Sequence, residues 1–144
     1  PLMPRLHILI LNGPNLNMLG TREPEVYGDV TLPQLITELK NSFQDVLIED
    51  FQSNDEGALI EVLHDYGMRC DGVVFNPGGY AHTSVAIRDA VASIKAPVIE
   101  VHISNIHARE GFRNISIVGG ACKGVISGLG NRGYSIAVEY LISL

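Results

Sequence analysis

Short apolar runs alternate along the chain with longer segments in which apolar residues recur every three or four positions. The short runs predict β-strands, and the periodic segments predict amphipathic helices. The predicted strands are residues 6–11, 46–51, 72–75 and 98–101, with 123–127 as the best candidate for a fifth strand and 115–118 as its competitor. The predicted helices have their apolar stripes within 32–43, 59–66 and 85–94, and the last helix runs from about 131 to 142.

Residues with capping chemistry mark the ends of the first two helices. Thr31 is predicted to cap the first helix, with Pro33 tolerated in its first turn. Ser53 followed by Glu56 has the spacing of a capping box at the start of the second helix. Gly67 is placed to end that helix.

The alternation of strands and helices predicts the fold class. Helices of about a dozen residues between strands produce right-handed βαβ crossovers and a parallel sheet. Five strands fit an α/β fold, a flavodoxin-like three-layer sandwich, and the length suits a single domain spanning 1–144. Its third helix is expected to begin at Thr83 or Ser84 and to bury the apolar residues Val85, Ile87, Val91 and Ile94.

Composition and charge narrow the classes of partner and the compartment. Ten Lys and Arg against sixteen Asp and Glu give a formal net charge of −6. This balance argues against nucleic-acid and anionic-membrane partners, which require a basic surface. Cys70 and Cys122 have no metal-ligand spacing, and the chain shows neither a signal-peptide pattern nor an apolar window of about 18 residues. These features predict a soluble cytoplasmic protein.

Polar side chains follow three of the predicted strands. The carboxyl ends of parallel strands meet at one edge of the sheet, where such folds bind ligands. These residues are Asn15, Arg22 and Tyr27 after the first strand, Asn76 and His82 after the third, and Glu100, His102 and Ser104 at the end of the fourth. A ligand site is therefore predicted at this edge.

His102 is one candidate for chemistry at this edge. Glu100 has the same strand parity, so both side chains leave the same face of the sheet, and a carboxylate beside an imidazole suits general acid catalysis. Two alternatives remain open. His102 is a satisfied core histidine in the first, and in the second it joins His82 and His107 in a metal site, although their spacing matches no zinc signature.

The glycine-flanked loop 20–28 is a second candidate, predicted to move as a lid. It carries Arg22 and Tyr27. A free tyrosine has a pKa of about 10 and is a poor base, but a nearby Arg favours the phenolate and lowers that pKa. The alternative interpretation is a packed Tyr beside a solvated Arg.

The loop after the fourth strand has features that suit an anionic ligand. Backbone N–H groups around Ile103 and Ser104 are placed to bind a carboxylate or a phosphate. Arg109 and Arg113 supply positive charge nearby, with a solvated Arg109 as the alternative. Asp89, in the middle of the third helix, is interpreted as a surface charge.

Several motifs that mark well-known enzyme classes are absent from the sequence. There is no P-loop, no dinucleotide fingerprint after the first strand and no G-x-S-x-G elbow. The three lysines, Lys40, Lys95 and Lys123, are predicted to lie away from the site, which argues against a Schiff base. Cofactor-free acid–base chemistry, with Tyr and His as proton carriers, is the interpretation that remains.

Linked motifs extend over almost the whole chain. They are residues 12–28 (NGPNLNMLGTREPEVYG), 52–57 (QSNDEG), 75–84 (FNPGGYAHTS), 98–105 (VIEVHISN), 109–113 (REGFR) and 128–134 (GLGNRGY). Together they closely resemble the signature of the type II 3-dehydroquinate dehydratases. Asp55 is one departure, since the family often has His there.

The resemblance implies dehydration of 3-dehydroquinate to 3-dehydroshikimate, in the shikimate or quinate pathway, by a homo-oligomer of four trimers, a dodecamer. It implies that Tyr27 is the base and that Arg22 keeps it ionised. It implies that His102 is the acid, positioned by Glu100, and that Asn15 holds a water that stabilises the enolate. The implied substrate-binding residues are Asn76, His82, Asp89, Ile103, Ser104 and Arg113, with Asp89 reaching the site of a neighbouring subunit.

Two other functions fit the same fold, because a fold does not determine a function. A flavin- or nucleotide-binding module is expected to have Ser and Thr after the first strand, and residues 12–20 contain neither. An inactive scaffold is expected to lose Arg22, Tyr27 or His102, and all three are present. The dehydratase is therefore the favoured hypothesis.

Overall fold

The computed structural model describes residues 5–21, 25 and 28–144. Within them, five strands form one parallel sheet in the order β2-β1-β3-β4-β5. The strands are β1 (His7–Asn12), β2 (Leu47–Gln52), β3 (Gly72–Asn76), β4 (Val98–His102) and β5 (Gly124–Ser127). The predicted α/β sandwich is confirmed, and the fifth strand is the segment that the sequence favoured over 115–118.

Helices cover both faces of this sheet. They are α1 (Leu32–Ser42), α2 (Glu56–Tyr66), α3 (Val85–Ala92) and α4 (Arg132–Ile142). Side chains of α1 and α4 pack in one buried cluster, and those of α2 and α3 pack in the other. In the described part of the chain, no helix is both long enough and apolar enough to cross a membrane.

Residues 8–11 of strand β1 are all apolar because both faces of the strand are buried. Ile8 and Ile10 point into the cluster beneath α1 and α4, whereas Leu9 and Leu11 point into the cluster beneath α2 and α3. All four side chains are fully buried. Successive side chains of a strand point to opposite faces, so a strand covered on both sides needs apolar residues at every position.

The start of α1 confirms its predicted cap, but the start of α2 does not. The hydroxyl of Thr31 accepts the N–H of Gln34, whose side-chain oxygen accepts the N–H of Thr31. Asp55, not Ser53, caps α2 by accepting the N–H of Ala58 at 3.3 Å. The Ser53 hydroxyl accepts the N–H of Asp55 at 3.0 Å, so it closes a turn just before the helix and is not available as the cap.

Gly67 is the residue at which α2 ends, as predicted, but for a different physical reason. Its φ of −64° is ordinary right-handed backbone, so no left-handed turn requires glycine there. A Cβ at this position would instead overlap the carbonyl oxygen of Leu63 and the side chain of Ile94. Close packing against the segment after α3 therefore excludes any larger residue.

Helix α3 begins after Ser84, whose hydroxyl accepts the N–H of Ile87 at 2.9 Å. Ile87 and Val91 are buried, as predicted. Val85 is 58% exposed, so the prediction that it points inward is wrong. The buried stripe follows i, i+4 spacing from Ile87, and a residue two positions earlier lies on the opposite side of the helix.

The strand order creates a switch point between β1 and β3. The chain leaves β1 for β2 on one side and then returns to β3 on the other. The last residues of these two strands, Asn12 and Asn76, are partners in the strand register. Loops that follow two such strands diverge, and the space between them is where folds of this kind bind ligands.

Candidate active site

A pocket lies at the carboxyl ends of β1, β3 and β4. It is lined by parts of the loops that follow these three strands. Of the site residues predicted from the sequence, those in its lining are Asn15, Asn76, His82, His102, Ile103, Ser104 and Arg113. The three loops thus bring together side chains that are up to about a hundred residues apart, as the parallel topology led us to expect.

His102 and Glu100 form a buried pair at the end of β4. The His102 Nε2 atom lies 2.7 Å from the Glu100 Oε2 atom. The Glu100 side chain is fully buried, and that of His102 is 7% exposed and faces the pocket. A carboxylate only accepts, so Nε2–H donates to Glu100, and the other ring nitrogen, Nδ1, is the one left for a ligand.

His82 lies beside His102 at the same pocket. Its Nδ1 atom is 2.8 Å from the carbonyl oxygen of Ile115, which can only accept, so Nδ1 carries the hydrogen. The two imidazole rings stack with centroids 6.2 Å apart and planes inclined by 24°. Among the described residues, no group of three or more His, Cys, Asp and Glu side chains is arranged to hold a metal ion, so the metal alternative has no support in this part of the chain.

Asn15 has an uncommon backbone conformation, with φ of 71° and ψ of −4°. Its N–H donates to the side-chain oxygen of Asn54 at 3.0 Å. The same oxygen accepts from Gln52 Nε2 at 3.2 Å, and Gln52 Nε2 also donates to the carbonyl of Gly13. The segment after β2 therefore holds Asn15 in a left-handed conformation that Asn tolerates better than most residues do.

Both polar atoms of the Asn76 side-chain amide are hydrogen-bonded. Its oxygen accepts the N–H of Gly78 at 3.1 Å, and its nitrogen donates to the hydroxyl of Tyr134 at 2.9 Å. Gly78 has a φ of 61°, a conformation that favours glycine. The turn after β3 and the start of the following 3-10 helix, Gly78–His82, are thus anchored to the strand end.

Two arginines give the pocket a cationic side. The Nε atoms of Arg113 and Arg109 lie 3.0 Å and 3.9 Å from the same carboxylate oxygen of Glu110. A hydrogen bond from its own backbone N–H, reinforced by the two guanidinium groups, holds the pKa of the Glu110 carboxyl below its usual range. Arg109 lines the pocket with its side chain 21% exposed, so it is not simply solvated. These charges suit an anionic ligand.

Sequence reasoning missed the apolar part of the pocket wall. Leu16 and Leu19 line it from the loop after β1, and Ile106 lines it from the loop after β4. All three are buried although they lie in otherwise polar loops. Apolar residues three positions apart within loops, Leu16 and Leu19 in one and Ile103 and Ile106 in the other, were the available signal, and such pairs indicate packing against a neighbouring segment.

Four predicted residues have other placements. Glu100 lies behind His102 rather than in the pocket lining, and Asp89 is an exposed residue of α3 outside that lining. Arg22 and Tyr27 lie outside the described residues. The expectation of a surface charge at Asp89 therefore holds within one chain, and the predicted roles of Arg22 and Tyr27 stay predictions.

Comparisons with known proteins agree with this architecture. The sequence matches the family described as Dehydroquinase class II over residues 6–142. It is 53% identical over 139 residues to a 3-dehydroquinate dehydratase of Bacillus pumilus, with 95% of each chain covered. It is 48% identical over 136 residues to a catabolic 3-dehydroquinase of Aspergillus clavatus, covering 93% of this chain and 91% of the relative.

A solved structure is similar over the same extent. The type II dehydroquinase from Butyrivibrio crossotus has a TM-score of 0.93 to this chain at 43% identity, covering 96% of this chain and 98% of that one. Sequence and fold therefore agree across nearly the entire length. The chain belongs to the class II dehydroquinase family.

Proposed function

We propose that this protein is a 3-dehydroquinate dehydratase, which removes water from 3-dehydroquinate to form 3-dehydroshikimate. The family, and relatives that are 3-dehydroquinate dehydratases, support this hydro-lyase reaction and this substrate. The observation that carries the proposal is the buried Glu100–His102 pair, which faces a pocket with a cationic side.

Elimination of water from a β-hydroxy ketone sets four chemical requirements. A base removes the α-proton, and the electron pair of that C–H bond forms an enolate. The enolate then re-forms the carbonyl and a carbon–carbon double bond while the C–O bond breaks, and an acid protonates the departing oxygen so that it leaves as water. The third and fourth requirements are an enolate stabiliser and a site for the substrate carboxylate. Each positioned acid or base contributes roughly 10²–10⁴-fold to the rate.

His102 is the proposed acid. Its Nε2–H is directed at Glu100, so the proton that reaches the departing hydroxyl comes from Nδ1, on the pocket side of the ring. Glu100 positions the imidazole and is fully buried, which keeps water from competing for that hydrogen bond.

Tyr27 is the proposed base, and Arg22 keeps it ionised and stabilises the transition state. Both assignments rest on the family resemblance, because the two residues lie outside the described part of the chain. Asn15 is proposed to hold the water that stabilises the enolate. Its position in the pocket lining and its fixed backbone support that role.

The remaining pocket residues are proposed to bind the substrate. Arg113 and the turn at Ile103 and Ser104 suit the carboxylate, and His82 and Asn76 suit hydroxyl oxygens. Asp89 is proposed to act in the site of a neighbouring subunit of a dodecamer. Its exposed position outside its own chain's pocket is compatible with that role.

We further propose that residues 1–144 form a single catalytic domain, which works in the cytoplasm without cofactor or metal. The acidic net charge of −6 supports a small-molecule substrate over a nucleic-acid or membrane partner.

A continuous ultraviolet assay for the conjugated enone product tests the proposal. Wild type, Tyr27→Phe and the control Tyr140→Phe, an exposed tyrosine of α4, are compared without added metal or cofactor and after borohydride treatment. We expect borohydride-resistant activity in wild type and in the control, and its collapse in Tyr27→Phe. Folded wild type that does not produce the enone would overturn the substrate assignment.

A further inference from the structure

A buried chain of hydrogen bonds connects the ends of β1 and β3 to α4. The Tyr134 hydroxyl donates to the Asn12 side-chain oxygen at 2.6 Å and accepts from the Asn76 side-chain nitrogen at 2.9 Å. Tyr134 and Asn12 are fully buried, and Asn76 is 4% exposed. Among these three side chains, Asn76 is the one in the pocket lining.

The direction of this chain follows from counting donors and acceptors. The Asn76 oxygen is occupied by the N–H of Gly78, so its amide nitrogen must be the atom that faces Tyr134. Tyr134 then receives a hydrogen and has one hydrogen to give, which goes to Asn12. A primary amide has two N–H groups, so Asn76 keeps one that is not used by Tyr134.

Because the Tyr134 hydroxyl is buried, it keeps its proton, and the directions of these hydrogen bonds do not change with pH. Loss of solvation raises the pKa of the Tyr134 hydroxyl well above its usual range, so the group remains a neutral hydroxyl at any working pH. Reversing the Asn76 amide would set its nitrogen against the N–H of Gly78 and leave two buried donors facing each other, which is costly.

We propose that Tyr134 is a positioning residue, which holds the Asn76 amide so that its remaining N–H is presented to the ligand as a hydrogen-bond donor. The inference rests on the proposed function, since it takes the pocket to be the substrate site. The ligand group that this donor recognises is an oxygen acceptor, a hydroxyl or a carboxylate. Tyr134 acts from behind the pocket and touches no reacting atom.

Steady-state kinetics test this role. Tyr134→Phe deletes one oxygen and leaves the ring, and Tyr140→Phe is the matched control on the same helix. We expect KM for 3-dehydroquinate to rise roughly tenfold in Tyr134→Phe, the factor that corresponds to one hydrogen bond, and to change less than about twofold in the control. A purely structural role would lower the folded fraction, and with it the apparent kcat, at unchanged KM. That result would overturn the proposal.

A double-mutant cycle tests whether Tyr134 acts through Asn76. In the Asn76→Ala background, Tyr134→Phe should leave KM unchanged within about twofold, because the amide that it positions is already gone. Independent, multiplicative effects of the two substitutions would contradict the proposal.

A neutron crystal structure of the wild-type protein tests the same chain without any variant. The expected map has the Tyr134 deuterium directed at Asn12 and the second amide deuterium of Asn76 directed into the pocket. A Tyr134 deuterium directed at Asn76 would overturn the inference. Wild type that fails to convert 3-dehydroquinate would instead overturn the proposed function, and the neutron result would stand separately.

Discussion

The carboxylate of Glu100 accepts a 2.7 Å hydrogen bond from the imidazole of His102 in a site that water hardly reaches. Both residues are on β4 and are separated by one position, so the pleat of the strand itself sets their spacing. Because β4 is paired with β3 and β5 on its two sides, the imidazole is held in one orientation, with Nε2–H on Glu100 and Nδ1 left for a ligand.

Replacing Glu100 with Gln should lower kcat more than it raises KM. The amide keeps the shape of the side chain but removes the charge that orients His102, so we expect kcat to fall roughly 10- to 100-fold. The enone assay on Glu100→Gln and on the exposed control Glu139→Gln measures this effect. An unchanged kcat in folded Glu100→Gln would show that the pair does not serve the reaction.

Asn54 should matter for activity although it lies outside the pocket lining. Asn54→Ala removes the acceptor for the N–H of Asn15 and should allow that residue to leave its left-handed conformation, lowering kcat/KM by about tenfold. Asn54→Asp retains an acceptor oxygen and should recover most of the loss. Asn41→Ala, at an exposed position of α1, is the control. Equal kcat/KM in wild type, the two Asn54 variants and the control would show that the hydrogen bond from Asn15 to Asn54 does not serve the reaction.

The thiol of Cys122 should be unreactive in the folded protein. Burial, together with the negative charge of Glu100, raises its pKa to about 12. At pH 8 only about one molecule in 10⁴ then carries the thiolate that attacks a thiol reagent. In a Cys70→Ala background, reaction with a chromogenic disulfide should be about 10³-fold slower than for free cysteine and should become fast in urea. Fast labelling of the native protein would contradict this prediction.

Glu49 should contribute to the acid sensitivity of the fold. A hydrogen bond from Tyr66, reinforced by His7, lowers its pKa from the ordinary value of 4.5. The folded state therefore binds fewer protons than the unfolded state, so the carboxylate stabilises the protein above about pH 4.5 and this contribution is lost as the pH falls through the lowered pKa.

Urea unfolding of wild type and Glu49→Gln between pH 7 and pH 3 measures this dependence. The difference in unfolding free energy should be constant at neutral pH and shrink below about pH 4.5, with Glu139→Gln as the exposed control. A difference in unfolding free energy between wild type and Glu49→Gln that stays constant down to pH 3 would contradict this prediction.

Asp89 offers a test of action between subunits. If it serves a neighbouring site, oligomers mixed from inactive Asp89→Ala and inactive His102→Ala chains should regain part of the activity, because some sites then combine one intact residue from each chain. Mass spectrometry would establish that the oligomers contain both chains. Mixed oligomers that recover no activity would contradict the proposed role of Asp89 in a neighbouring site.

The local sequence pattern predicted the elements well where helices cover a strand on both faces of the sheet. Ile8, Leu9, Ile10 and Leu11 were recognised as a strand because a sheet covered on both faces accepts few other patterns. Val85 and Ser53 were mispredicted, because the helix phase and the choice between two adjacent capping residues depend on small differences in packing and hydrogen bonding that the pattern does not show.

The site was predictable at the level of residue types and of the edge of the sheet on which they lie. His102 and Asn76 end strands and Asn15 follows one, and parallel strands bring their carboxyl ends together. The apolar wall at Leu16 and Ile106 was not predicted, because which loops touch depends on their three-dimensional course.

By itself the sequence determined the alternation of strands and helices, the buried strands and the polar groups at their carboxyl ends, since these follow from local periodicity and the rules of parallel sheets. Only the tertiary structure decided that Tyr134 meets Asn12, a residue 122 positions away, and Asn76, which is 58 positions away. A hydrogen bond forms only when donor and acceptor lie within about 3 Å in the right direction. That condition depends on strand register and helix placement over the whole chain, which no local pattern contains.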